Sequence, residues 1–165
     1  MHERLWAPWR YPYLKSLRQE TGNDCIFCVK PEENKDKENL IVFRGAQTFV
    51  MMNKFPYNNG HLLIVPYRHI GELGASNSEE QQEFFEILTK SITVFRETMN
   101  PDGFNIGMNL GQAAGAGIAD HIHFHIVPRW NGDTNYMPIV SDTRIISMSL
   151  EDGWELLSKK FAELS

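Results

Sequence analysis

The stretch "HIHFHIVPRW", His121 to Trp130, sets three of the chain's six histidines at every second position, each followed by an apolar residue. A period of two is the period of a β-strand, so His121, His123 and His125 share one face while Ile122, Phe124 and Ile126 share the other. The fold must therefore supply an oily layer on one side and polar partners on the other. Each neutral imidazole has one donor and one acceptor to place, and burying it without partners is costly. The rings lie roughly 6 to 7 Å apart along such a strand, close enough for water, a metal or a phosphate to serve them.

The rest of the chain is an ordinary frame for that strand. Its 165 residues suit one domain, 1–165, long enough to bury a core. At 42% hydrophobic and 22% charged the composition is that of a soluble globular protein, and the longest apolar run, Leu62 to Val65, is too short to span a bilayer. The opening "MHERLWAPWRYPYLK" lacks the continuous apolar core of a secretory signal, so a cytoplasmic location is expected. A net charge of −5 without a basic cluster argues against long nucleic acid as a partner, while leaving room for a nucleotide phosphate at an isolated site.

An aromatic arm, about residues 1–22, precedes "CIFC", Cys25 to Cys28, and the charged "KPEENKDKEN" reads as a solvated loop. "NLIVFRG", "TFVMMN" and "GHLLIVP" are rich in strand formers and predict an antiparallel meander. Ser76 and Glu79 form a capping box ahead of Phe84, Leu88, Ile92, Phe95 and Met99 at helical spacing. "FNIGMNL" alternates as a further strand, and a final helix, about 149–164, carries Trp154, Leu157, Phe161 and Leu164 on one face. The expected fold is α+β, an antiparallel sheet of about five strands backed by helices.

Two chemistries suit the histidine face. Alternating histidines can bind zinc, although three ligands from one short strand converge poorly on a tetrahedral ion. Alternatively, Gly111, Gly115 and Gly117 in the preceding loop let backbone amides approach an anion. His123 then becomes a nucleophile toward phosphorus, provided its other nitrogen is held by an acceptor. The cysteine pair fits a redox couple, half of a zinc site or coincidence, and spacing alone leaves all three open.

The residues also resemble a known family, the histidine triad nucleotide hydrolases and transferases, whose signature His-φ-His-φ-His-φ-φ is matched by "HIHFHIV" at every position. "MMNKFPYNNGHLLIVPYRH" looks like that family's ribose-binding and strand region, and "RLWAPWRYPYL", "AGAGIADH" and "VPRW" look most like its branch of bacterial diadenosine tetraphosphate phosphorylases. The resemblance implies a histidine triad fold, His123 as nucleophile, His125 at the phosphate and bridging oxygen, and a nucleotidyl-histidine intermediate. It implies that Asn53 holds the ribose, that Asn109, Gly111, Gln112, Gly115 and Gly117 line the phosphate pocket, and that Trp130 meets the base. It further implies a structural zinc on Cys25, Cys28, His69 and His121, and a homodimer. The chain departs from the family where a serine or threonine commonly precedes the first histidine; here the residues are Gly117, Ile118, Ala119 and Asp120, so backbone donors from Ala116 to Ile118 must replace the hydroxyl. Other readings are a phosphoramidate hydrolase, a weakly catalytic nucleotide binder, or a zinc hydrolase liganded by the three histidines.

Overall fold

The computed structural model describes residues 25–134 and 145–164, which leaves the aromatic arm outside the described residues. Five strands form one antiparallel sheet: β1 (Ile41–Arg44), β2 (Thr48–Met52), β3 (Leu62–Pro66), β4 (Gly103–Met108) and β5 (Phe124–Arg129), in the spatial order β1-β2-β3-β5-β4. The α-helices among the described residues are α1 (Ile26–Glu32), α2 (Ser78–Thr98) and α3 (Leu150–Glu163). This is the α+β architecture that the patterning predicts. β3 sits at the centre, paired with β2 and β5, and all five of its residues are buried, as a continuous apolar run requires.

The sheet has two covered faces. On one, Val50, Met52, Leu62, Ile64 and Ile126 pack against Phe84, Ile87, Val94 and Phe95 of α2 and Leu157 and Phe161 of α3. On the other, Ile41, Phe49, Met51, Leu63 and Val65 pack against Phe27 of α1. Leu63 pairs with His125 and Ile64 with Phe124, so the period-two alternation sends the histidines to the α1 side and the apolar residues to the α2 side.

Three local expectations shift. The box that caps α2 is Asn77 with Glu80, not Ser76 with Glu79, because Arg68 grips the buried Glu80 carboxylate through Nε at 2.9 Å and Nη2 at 2.7 Å. The buried stripe of α2 accordingly runs through Phe84, Ile87, Ser91, Val94 and Phe95, with Leu88 and Met99 partly buried beside it. The "KPEENKDKEN" loop begins late: its first residues close α1, for which Cys25 is the N-cap residue.

Tight approaches fix the hairpins. Gly60 enters β3 at φ +73°, and a Cβ there would lie 2.9 Å from both Met99 Sδ and Phe95 Cε1, so only glycine suits both the angle and the space. At the β1–β2 turn, the Glu83 carboxylate of α2 accepts the amides of Ala46 and Gln47 at 2.7 and 2.8 Å and the Thr48 hydroxyl at 2.8 Å.

Candidate active site and metal centre

Each histidine of the row has its own fixed partner, and the partners determine where the protons sit. A carbonyl only accepts, so the 2.9 Å contact of His123 Nδ1 with the His121 carbonyl places a proton on Nδ1 and leaves Nε2 with a free lone pair. His121 Nε2 lies 2.9 Å from the Pro66 carbonyl and donates to it, so His121 Nδ1 is the bare nitrogen. For His125 the partner is His61. The Tyr57 amide donates to His61 Nδ1 at 3.1 Å, which puts the His61 proton on Nε2, and this donates to His125 Nδ1 at 2.9 Å. The His125 proton therefore sits on Nε2, a buried atom without a hydrogen-bond partner among the described residues. A buried unpaired donor costs about 1 to 3 kcal/mol, which a ligand oxygen would recover.

Burial keeps these rings neutral. Desolvation, then the neighbouring His125 and His123, lower His61 to about 3. Desolvation, then His123, lower His125 to about 4. Desolvation lowers His123 as well, partly offset by its bond to the His121 carbonyl. A neutral imidazole with a bare nitrogen beside an imidazole N–H, ring centres 4.9 Å apart, is a nucleophile next to a general acid.

Patterning missed three residues around this pair. His61 stands alone just before the apolar strand β3, and its partner is 64 positions away. Tyr57 stacks on His125 with ring centres 5.8 Å apart and lies tilted against His61 at 4.5 Å. Phe27 lies 5.4 Å from the His121 ring and 5.0 Å from that of His123.

Asn53 follows β2 directly; its Oδ1 accepts the Phe55 amide at 2.9 Å and its Nδ2 lies 3.4 Å from His61 Nδ1. In the glycine loop Gly111 and Gly115 adopt φ of +75° and +86°, as expected for a turn that only glycine enters freely. The Ala116 amide is committed to the Gly111 carbonyl at 3.4 Å. The cradle expected from Ala116 to Ile118 thus narrows to the amides of Gly117 and Ile118, and Ile118 packs on the cluster that contains Phe27. Gln112 is exposed and Asn109 half-buried at the end of β4. Trp130 stands apart: five residues beyond His125, roughly 16 Å along the strand, it lines a cleft of about 290 Å³ with Asn58, Asn59 and Asp133. Its indole donates to the Met99 carbonyl at 3.2 Å.

Cys25, Cys28, His69 and His121 bring one ligand atom each into a group spanning no more than 4.8 Å. Cys25 Sγ is 3.3 Å and Cys28 Sγ 3.6 Å from His121 Nδ1, and Cys28 Sγ is 3.4 Å from His69 Nδ1. Tetrahedral zinc with N and S ligands separates them by about 3.3 to 3.8 Å, so the donors fit such an ion. The tautomer of His121 fits too: its bare Nδ1 faces the sulfurs while Nε2–H is held by Pro66, the usual support for a ligating histidine. Desolvation, then the Cys25 thiol, push Cys28 up to about 11, an opposition that a cation at this point would reverse.

A fold of this kind with a row of partnered histidines belongs to a class of nucleotide hydrolases and phosphorylases. The chain belongs to the HIT domain family, whose model matches residues 34–132. It is 37% identical over 165 residues, 97% of this chain and 85% of the relative, to an "AP-4-A phosphorylase" of Mycobacterium tuberculosis. An uncharacterized 16.1 kDa HIT-like protein of Mycoplasma pneumoniae is 30% identical and is matched across 93% of its length by 84% of this chain. Among solved structures, a Zn-bound histidine triad family protein from Mycobacterium smegmatis superposes with a TM-score of 0.69 at 26% identity, over 86% of this chain and 96% of that one.

Proposed function

We propose that this chain is a dinucleoside polyphosphate phosphorylase that works through a nucleotidyl-histidine. The observation that carries the reading is the pair of opposed tautomers, His123 with Nε2 bare and His125 with Nε2 protonated. His123 Nε2 attacks the α-phosphorus, a P–N bond forms as the bond to the bridging oxygen breaks, and the His125 Nε2 proton goes to the leaving oxygen. An acceptor then reverses these roles: it gives its proton back to His125 and displaces His123 from phosphorus. The amides of Gly117 and Ile118, with Asn109, Gly111, Gln112 and Gly115 around them, cradle the phosphate, and Asn53 holds the ribose. Trp130 belongs to a base contact only if a substrate reaches past the far end of β5.

Cys25, Cys28, His69 and His121 hold a zinc ion whose role is to fix the fold around His121. A homodimer and a cytoplasmic location complete the reading. For the dimer, β4 offers an edge that is unpaired among the described residues, with Ile106 exposed on it, Leu110 exposed just beyond it and open space above Gly103 and Gly107, room for a second copy to pair.

Product analysis tests the reaction. With diadenosine tetraphosphate, transfer to His123 releases ATP; orthophosphate then yields ADP, whereas water yields AMP. ATP with ADP, formed only when phosphate is present, and an alkali-stable adduct on His123 support the proposal. ATP with AMP regardless of phosphate makes the chain a hydrolase, and full activity in His123→Ala overturns the mechanism.

A further inference from the structure

His61 lies outside the ladder that it serves. The last pair between β3 and β5 is Leu62 with Ile126, and His61 is one residue further out, yet its ring meets His125 Nδ1 at 2.9 Å. Past the last rung a chain frays unless other contacts hold it. On the β2 side the His61 carbonyl accepts the Asn53 amide at 2.8 Å. On the β5 side the aim of the ring depends on the turn before it, which is closed on itself twice: the Tyr57 amide donates to His61 Nδ1 at 3.1 Å, and the His61 amide donates to the Asn58 carbonyl at 3.3 Å.

Asn58 ties that turn down, and every polar atom of its side chain is used. Its Nδ2 donates to the Pro128 carbonyl at 3.2 Å and to Asp133 Oδ2 at 2.8 Å, while Oδ1 accepts the Asn59 amide at 3.0 Å. Pro128 belongs to β5, three residues and roughly 10 Å beyond His125 on the same strand. Asp133 is itself fixed, since its carboxylate accepts Arg129 Nε at 2.6 Å and Nη2 at 2.8 Å. One strand therefore carries both the imidazole that His61 must reach and the anchor of the turn that leads into His61, and Asn58 sets the spacing between them. Only an amide supplies the two N–H groups that span two acceptors while keeping an oxygen for Asn59; an aspartate there has no donor. The cleft beside Trp130 is the outer surface of this clamp: Asn58 and Asp133 are spent on each other, and Asn59 Oδ1 on the Met148 amide at 3.1 Å.

We propose that Asn58 is a positioning residue for the general acid: by tying the Tyr57–His61 turn to Pro128 and Asp133 it keeps His61 Nε2–H on His125 Nδ1, and so keeps the His125 proton on Nε2. The role rests on the reading of His125 as the proton donor to the leaving oxygen. Without the two Nδ2 bonds the turn shifts, the contact between the two imidazoles is lost for part of the time, and His125 divides between its tautomers, of which one alone carries a proton on Nε2. A clamp that only held the fold together would lower stability and leave the tautomer as it is.

The test uses the full chain as Asn58→Ala and as the milder Asn58→Ser, each checked for fold by circular dichroism. Long-range proton–nitrogen NMR of histidine-labelled protein reads the His125 tautomer directly, with the Nε2–H form expected in the unsubstituted chain and a mixture of both forms in the variants. On a nucleotide with an alkyl phosphate leaving group kcat should fall about tenfold, part of the general-acid contribution, with KM little changed. With a p-nitrophenolate leaving group, which needs no proton, kcat should hold. Asn58→Ala added to His61→Phe should lower the ratio of the two rates no further than His61→Phe alone. A His125 proton that stays on Nε2 in both variants, or equal losses on the two leaving groups, overturns the positioning role. If the tautomer shifts in the variants while no adduct ever forms on His123 of the unsubstituted chain, Asn58 keeps its role toward His125 and the reading of His123 falls.

Discussion

His61→Phe separates positioning from chemistry. Phenylalanine keeps the ring volume but removes the donor to His125 Nδ1 and the acceptor for the Tyr57 amide, contacts of 2.9 and 3.1 Å. Two polar groups lose their partners, at about 1 to 3 kcal/mol each before water or relaxation recovers part, so a net loss of about 2 to 4 kcal/mol of stability is expected in urea unfolding. Freed from its partner, His125 also populates the tautomer with Nε2 bare, which has no proton for a leaving group. General-acid catalysis contributes about 10²- to 10⁴-fold, and the substitution should reach the lower end of that range in kcat, with KM changed by no more than about threefold. The assay compares two leaving groups on one nucleotide, an alkyl phosphate oxygen that needs protonation and a p-nitrophenolate that leaves as an anion. The loss should be large for the first and small for the second, and in a His125→Ala background His61→Phe should add almost nothing. Equal losses on both leaving groups, or full additivity with His125→Ala, would refute the proton assignment.

Three further outcomes are expected. Purified protein should carry about one zinc per chain, and Cys25→Ser with Cys28→Ser should abolish metal content and lower Tm; full metal retention in that variant would exclude the ligand set. Because His61 and His125 are lowered to about 3 and about 4 in the folded chain, the unfolded chain binds more protons below about pH 6.5. Stability should thus be full above pH 6.5 and fall toward pH 4 by about 3 kcal/mol for each ring, about 6 kcal/mol together as an upper bound, and an equal acid sensitivity in His61→Phe with His125→Phe would place the cause elsewhere. Glu80→Ala removes a buried carboxylate bonded to Arg68 and the Asn77 amide, and should cost about 2 to 3 kcal/mol of stability without changing kcat.

The sequence made the sheet legible because its strongest signals are local. Alternation in "HIHFHIV" separates two faces whatever lies around it, and the apolar run of β3 is that of a buried central strand. The metal donors were reachable only through the family likeness, since Cys25 and His121 are 96 positions apart. What the sequence hid was decided by distant partners. Ser76 with Glu79 and Asn77 with Glu80 are equally good boxes on paper, and Arg68, eight positions before Ser76, selects the second. His61 carries no local mark, because its meaning is the ring nitrogen it holds on β5. Trp130 reads as a site residue because it follows the triad; the strand carries it on to the far end of β5, where its indole donates to the Met99 carbonyl.

The carboxylate that α2 lends to the β1–β2 turn has a consequence for how the molecule opens. Amides in a surface turn ordinarily trade their hydrogens for solvent deuterium almost as fast as those of a free peptide, whatever the stability of the strands beside them. Here the Ala46 and Gln47 hydrogens are held by Glu83, so they exchange only when the helix lifts from the hairpin. Their protection measures that one separation, independently of fraying in the strands, and makes two turn amides a gauge of the join between sheet and helix.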